Sequence, residues 1–460
     1  MDKVFTHTRK QLPVGQGFFH FAEFALGAND EPNTGCAGLS AAKYSYVYDC
    51  GSVPRYSGEL DREIDKLASC FQKNVIDVLF ISHFHYDHVS GIRKLLKTFS
   101  VNTVIMPLLG DLERLIIYAK SISIFQFTLD NEENKQCFED FQNMIVDPIK
   151  TIRDISPTCC IILVSSGNEE NHDEGELPQN FGTMPGADNA GAVSDAGGTS
   201  DSFKWRVVRR KNQTKWVKAG VNHNEKQTYT IKIPFEIQIA AKGTFQWLLL
   251  PFVDPAVATS VMKKKFVREL AKSLKCSEPE TVSIINDDIE RNKLLSSKWK
   301  ALKEAYKKLP TDLNLTSLSL FSGPISSMKF YAYNMCCRGL RRGRLSCGWR
   351  PRDRQIAWLA TGDANLKNKR ARALFLKYFD KYLDRVLTLT LPHHGSANSF
   401  DSELLEKVRP HRCVVAADQY SNWHHPASSV VHAVFSAGSS LHVTTSNEQS
   451  KFQETFVAYF

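Results

Sequence analysis

Two periods of apolar and polar residues interleave along the chain. Short apolar runs at 75–81, 103–106, 315–321, 356–360, 386–391 and 414–417 are bounded by Gly, Pro, Asn, Asp or Ser, as buried strands are. Residues 17–26 and 44–48 give two more strands near the start, and 229–241 and 245–252 alternate like a strand pair. Between them, residues 60–72, 92–98, 112–121, 254–276, 285–309 and 369–378 repeat at helical spacing. Residues 440–444 and 455–460 close the chain as edge strands. Strand and helix alternate, which predicts an α/β layered fold, and no internal repeat interrupts the series.

Two stretches break the pattern. Residues 165–202 are rich in Gly, Asn, Asp, Glu and Ser, with few aliphatic side chains, and read as a floppy insertion. The other is basic. Seven arginines between 338 and 354, Arg341, Arg342 and Arg344 among them, face one acid, Asp353. A second basic run, 204–218, interleaves Lys and Arg with Trp205 and Trp216, and Lys263, Lys264 and Lys265 sit together on one helix. Guanidinium groups alternating with indoles suit phosphate contact and base stacking, and a solvated basic loop is the plainer reading.

Composition narrows the class. The 460 residues are 42% apolar and 11% aromatic, ample for a sizeable core in one elaborated domain or two. The net charge of +9 is carried unevenly by the basic runs. The apolar runs are far shorter than the roughly 18 residues a membrane helix needs. The first residues show no apolar signal segment. The 11 cysteines have no framework spacing, so a soluble, cytoplasmic protein with reduced thiols is expected. Cys336, Cys337 and Cys347 lack the second pair that would complete a zinc knuckle.

The chemistry concentrates at 83–88, His-Phe-His-Tyr-Asp-His, directly after the apolar run 75–81. His83 and His85, two apart, point the same way on an extended segment. Asp87 and His88 follow where the chain turns into a helix and address a second point. That is a layout for two adjacent ions held by nitrogen and oxygen. Further ligand types stand at other strand ends: Asp363 in Thr361-Gly362-Asp363, the pair His393 and His394 before Gly395-Ser396, and His424 and His425 before Pro426. Asp363 suits a bridging carboxylate, and helix capping is its plainer role. Asp49, closing an apolar strand, suits an acid that orients a ligand imidazole. Gly395 and Ser396 offer backbone N–H groups, and Ser396 with the three arginines is a candidate substrate contact. Which of His393, His394, His424 and His425 hold metal stays open.

The hexapeptide resembles the HxHxDH signature of the metallo-β-lactamase superfamily. Val14-Gly15-Gln16-Gly17 with Asp49-Cys50-Gly51, then Thr361-Gly362-Asp363, Pro392-His393-His394-Gly395-Ser396 and His425-Pro426, resemble in order the hydrolase domain of ComEC-type DNA-uptake proteins. The resemblance implies a four-layer αβ/βα sandwich, free-standing and with insertions. Its N-terminal half would be 1–164, followed by a flexible basic insertion at 165–225. The C-terminal half, 226–460, would carry a helical insertion at 255–310 and the Arg-rich insertion at 337–355. The usual lone histidine between the hexapeptide and Asp363 is not evident, since His172 and His223 lie in or near the floppy tract. The implied activity is metal-dependent hydrolysis with two Zn or Mn ions. His83, His85, Asp87, His88, Asp363, His394 and His425 would be ligands, and Asp87, His393 and His394 would transfer protons. A phosphodiesterase or nuclease fits first, with nucleic acid reached through the basic insertions and a role in DNA processing or antiviral defence. A small ester, lactone or phosphoester is the alternative substrate. A non-catalytic partner protein with a structural metal site is a third reading.

Overall fold

Apolar runs bounded by turn residues become strands in this computed structural model, and they sort into two sheets. The structure describes residues 3–28, 42–70, 74–124, 132–165, 204–209, 217–218, 228–232, 235–241, 245–254, 260–309, 317–325, 331–333, 355–419 and 423–459. An antiparallel meander, β1 (Lys3–Gln11), β2 (Gly17–Ala28) and β3 (Ala42–Ser52), opens the chain. Helix α1 (Ser57–Ser69) leads to β4 (Val75–Phe80), and α2 (Tyr86–Val89) and α3 (Ile92–Thr98) lead to β5 (Ser100–Pro107). Helices α4 (Asp111–Ile124), α5 (Glu132–Val146) and α6 (Pro148–Ile155) precede β6 (Cys160–Ser165). Strands β7 (Lys204–Arg209), β8 (Val217–Lys218), β9 (Thr228–Lys232), β10 (Phe235–Ala241) and β11 (Phe245–Val253) follow. Four helices come next: α7 (Ser260–Leu274), α8 (Glu278–Asn286), α9 (Asp288–Ser297) and α10 (Trp299–Lys307). The remainder is β12 (Leu318–Pro324), β13 (Tyr331–Tyr333), β14 (Ala357–Ala360), α11 (Lys369–Phe379), β15 (Val386–Thr390), α12 (Glu403–Val408), β16 (Arg412–Ala416), α13 (Ser428–Ser436), β17 (Ser440–Thr444) and β18 (Phe452–Tyr459).

The first sheet runs β13-β18-β1-β2-β3-β4-β5-β6-β9-β8, and the second β17-β16-β15-β14-β12-β11-β10-β7. Apolar side chains fall into three layers. Phe24, Tyr46, Phe80, Trp247 and Trp358 lie between the sheets. Outside the first sheet, α1 inserts Leu60, Ile64 and Leu67, and α3 inserts Ile92, Leu95 and Leu96. Outside the second sheet, α11 inserts Phe375 and Phe379 beside Leu404 and Val434. Each such side chain contributes about 1.5–3 kcal/mol by leaving water. Helix–sheet–sheet–helix is the four-layer α/β sandwich expected. Strands β3 to β6 are parallel to one another, as are β14 to β17, so their carboxyl ends gather at one edge of the sandwich. Open parallel sheets place ligands at such edges.

Several expectations change. Strand β1 and helices α5 and α6 are additional elements. Residues 204–209, read as part of the flexible insertion, form β7, an edge strand paired with β10. The helical stretch 285–309 is broken where Asp287 accepts hydrogen bonds from Ile289 N and Glu290 N to start α9, and again at Lys298. Strand β18, expected at an edge, lies between β1 and β13. The seven cysteines among the described residues are free thiols. Among the described residues, no helix is long and apolar enough to cross a membrane.

Candidate metal centre

Strand β4 ends at Phe80, and the chain stays extended to His85, whose backbone opens the single turn α2. This change from extended to helical geometry sends the four ligand-type side chains of the hexapeptide to two points. His83 Nε2 stands 2.9 Å from His85 Nδ1, and both face Asp363 Oδ2, at 3.3 and 3.6 Å. Asp87 Oδ2 stands 3.1 Å from His394 Nε2, and the His88 ring packs beside both residues. Asp363 Oδ1 is 3.4 Å from His88 Nε2. One carboxylate therefore presents one oxygen to each group of histidines.

The strand ends that supply these groups are built tightly. Gly362 adopts φ +53°, and a Cβ there would collide with Ser317 Oγ and approach Tyr48 Oη at 3.0 Å. Ser317 Oγ accepts the Asp363 N–H, which fixes the turn after β14. After β15, His393 and His394 both take left-handed backbone (φ 48° and 54°), followed by Gly395 at 76°. Such conformations cost of order 1–3 kcal/mol for a non-glycine residue and collect at functional sites. Gly51 passes so close to the α2 backbone that a Cβ would strike His88 C.

The hydrogen bonds around the rings fix their tautomers. Asp49 Oδ1 accepts Ser82 N–H, and Oδ2 accepts both the Ser82 hydroxyl (2.5 Å) and His88 Nδ1–H (2.8 Å). Since Ser82 donates to Asp49, its oxygen accepts from His83 Nδ1–H at 2.8 Å. His394 Nδ1–H donates to Ala416 O at 2.7 Å. His83, His88 and His394 consequently turn bare Nε2 lone pairs inward. His88 Nε2 is buried without a hydrogen bond.

Lone pairs from three imidazoles and the oxygens of two carboxylates converge in a space shut off from water. That set repels itself unless positive charge lies among it. The proton equilibria carry the same demand. Burial disfavours charge on Asp87, but His88 and His394 outweigh it and hold the carboxyl well below the usual range. Burial likewise opposes Asp363, and His393, His83 and His88 outweigh it. Burial also opposes a charged His88, yet Asp363 and Asp87 raise its affinity for a proton well above the ordinary value. Burial, then Lys120 and His83, push His85 down to about 3, and burial, then His88, lower His83. His83 and His85 stay neutral and both carboxylates ionised, the forms that metal binding needs, and a divalent ion would take the place of the proton that His88 otherwise draws. The donor set, mixed nitrogen and oxygen, fits divalent zinc or manganese.

Not every candidate joins these groups. His425, lowered to about 4 by burial and by His394 and His393, has its ring 6.5 Å from His394 and 6.0 Å from His393. The structure leaves it outside both tight clusters. His424 is exposed. His393 is half-buried, with Nδ1 3.2 Å from Ser399 Oγ and Nε2 3.6 Å from Asp363 Oδ2. The Ser396 N–H, expected to be open to an anion, donates to His393 O, and the Ser396 hydroxyl accepts Asn398 N–H. Arg341, Arg342, Arg344, His172 and His223 lie outside the described residues. Ser82 is a site residue that the sequence reading misses. Its only signal was a hydroxyl between a buried strand and the first histidine.

Residues 41–152, which hold Asp49 and the whole hexapeptide, match the model of the Metallo-beta-lactamase superfamily. Over 98 residues the chain is 31% identical to cleavage and polyadenylation specificity factor subunit 3-I of Arabidopsis thaliana, a match that takes in 20% of this chain and 13% of that protein.

Proposed function

We propose that the chain is a metal-dependent hydrolase of phosphodiesters in nucleic acid, using two adjacent divalent ions. The observation that carries this reading is Asp363, which faces the His83–His85 pair with one oxygen and His88 with the other. The partial likeness to a cleavage and polyadenylation factor subunit, and the motif series resembling ComEC-type hydrolase domains, support a polynucleotide as substrate. In this reading His83 and His85 would hold one ion and Asp87, His88 and His394 a second, with one oxygen of Asp363 available to each group. Zinc or manganese bound there would supply Lewis acidity, lowering the pKa of water and drawing charge from the attacked phosphate.

The chain's own groups do the rest. Asp49, acting through Ser82 and directly on His88, keeps two imidazoles in the ligand tautomer. Asp87, whose carboxylate faces His394, is the group placed to take the proton of the attacking water. His394 is committed at both ring nitrogens, so the proton for the leaving oxygen comes from His393, which is half-buried and steadied by Ser399. His425 is neutral, and its ring stands 6.0 Å from that of His393, the proposed proton donor. The test is incubation of the purified protein with single- and double-stranded DNA and RNA, with Mn²⁺ or Zn²⁺ and with chelator. Metal-dependent cleavage of a polynucleotide is the expected result; metal bound without cleavage of any of the four refutes the reading.

A further inference from the structure

The four-helix segment α7 to α10 lies against α4, and its charges are sorted by helix. Helix α7 with Lys275 after it carries six lysines and arginines against Glu269 alone. Helix α10, with Lys298 and Lys308 at its ends, carries five against Glu304 alone. In contrast, α8 and α9, with Asp287 between them, bear five acids against Arg291 and Lys293. The two basic helices pack side by side through a core that includes Phe266, Leu270 and Leu302. Lys272, Lys265 and Lys308 all act on Glu269, and Lys307, Lys308 and Lys303 act on Glu304, so cations of the two helices meet around Lys308.

The basic face of α7 and α10 is unfavourable as it stands. Lys264, Arg268 and Lys272 follow one another at i, i+4 spacing, where like charges oppose the helix. Arg268 and Lys272 find Glu278 and Glu269, whereas Lys264, Lys265, Lys303 and Lys308 make no ion pair within 4 Å among the described residues. A partner of regularly spaced negative charge relieves this repulsion, and a polynucleotide backbone is such a partner. The face also connects to the metal centre. Lys263 of α7 binds Glu113 at 2.7 Å, and α10 packs along α4. Helix α4 begins just after the carboxyl end of β5, the edge of the sandwich where the clusters lie.

We propose that the outer face of α7 and α10 is the docking track for the nucleic-acid strand that the metal centre cuts. This rests on the phosphodiesterase reading above, and the experiment separates the two. Fluorescence anisotropy follows a labelled single-stranded oligonucleotide binding to the full chain in chelator, across a salt series. The set Lys264→Glu/Lys265→Glu/Lys303→Glu/Lys308→Glu is expected to weaken binding more than tenfold near 0.1 M salt. It also flattens the slope of log affinity against log salt by about 2–3, since each lost contact to a single strand removes roughly 0.7. The four corresponding Lys→Gln changes, a milder set that covers a failure of the first to fold, fall between. Lys377→Glu/Lys381→Glu, exposed over the second sheet, leaves affinity nearly unchanged. Metal content and hydrolysis of bis(p-nitrophenyl) phosphate stay at the wild-type level in every variant. Unchanged affinity in the four-site variants overturns the track, as does an equal loss in the Lys377/Lys381 control. Wild-type protein that binds the oligonucleotide through this face yet never cleaves a diester supports the track and overturns the hydrolase reading.

Discussion

Asp49 sits at φ 57°, fully buried, with both oxygens committed to the backbone and side chain of Ser82 and to His88. Its effect on the metal centre is indirect: it sets which nitrogen of His83 and His88 is bare. In Asp49→Asn the amide NH₂ meets either the Ser82 N–H or, at the other position, the Ser82 hydroxyl and His88 Nδ1–H, all of them donors, so the acceptor set that orients the two imidazoles is broken. Orienting partners of this kind are worth about 10–100-fold in metal affinity. Competition against a chromophoric chelator is expected to show a loss in that range, with circular dichroism unchanged; equal affinity contradicts the relay. The left-handed pair His393 and His394 shows a second device at this scale. Consecutive residues on ordinary strand geometry point to opposite faces, whereas here both rings stay on the side of the carboxylates, one facing Asp363 and the other Asp87.

At the scale of elements, the close passage of β3 under α2 positions Asp87 and His88. Gly51 lies against the His88 backbone, and Gly17 against Gly51 O and the Asp87 carbonyl. Gly51→Ala forces α2 outward, and overpacking of this kind costs about 1–3 kcal/mol. Urea unfolding measures that loss, and metal affinity should fall with it; a variant of unaltered stability and affinity contradicts the close fit. Away from the site, β4 carries Asp77, which accepts Ser45 N–H and the Asn102 amide, yet burial raises its pKa to about 6. The folded state thus keeps a proton that the unfolded chain loses near 3.8, so this group's stability contribution falls as pH rises from 4 to 6. Asp77→Asn removes that dependence, and its stability relative to wild type is expected to grow by on the order of 2 kcal/mol between pH 4 and pH 7. Unfolding midpoints that keep a constant offset across this range refute it.

Strand-end reasoning located Asp49, the hexapeptide, Asp363 and His394 because each follows an apolar run that tertiary structure keeps as a strand. Strand β1 escaped it because its inward positions are His7, Arg9 and Gln11, buried polar groups that erase the apolar period. Ser82 escaped because its part depends on Asp49, 33 residues away. The position of His425 is set by the loop after β16, whose geometry no local pattern encodes.

At the scale of the whole molecule, the sandwich is joined through its middle by a buried ion pair. Arg9 of β1 binds Glu454 of β18 at 2.5–2.6 Å and reaches the second sheet through Ile356 O and Thr388 Oγ1. Thr388 and Arg412 complete the Glu454 partners. Removing the partner of a buried charge costs about 3–5 kcal/mol; Glu454→Leu strands the fully buried Arg9, whereas Arg9→Met leaves Glu454 with Arg412 and Thr388. Glu454→Leu should therefore lower the urea midpoint sharply and Arg9→Met less; equal losses in both contradict the clasp. The two-ion hydrolase claim meets its most direct test in back-titration of the metal-free chain with Mn²⁺ or Zn²⁺, following bound metal and oligonucleotide cleavage together. Two ions bound per chain are expected, with cleavage rising as the second binds and absent from Asp363→Asn, which no longer presents an anionic oxygen to each group. Cleavage that survives complete chelation, or that Asp363→Asn retains, contradicts the account.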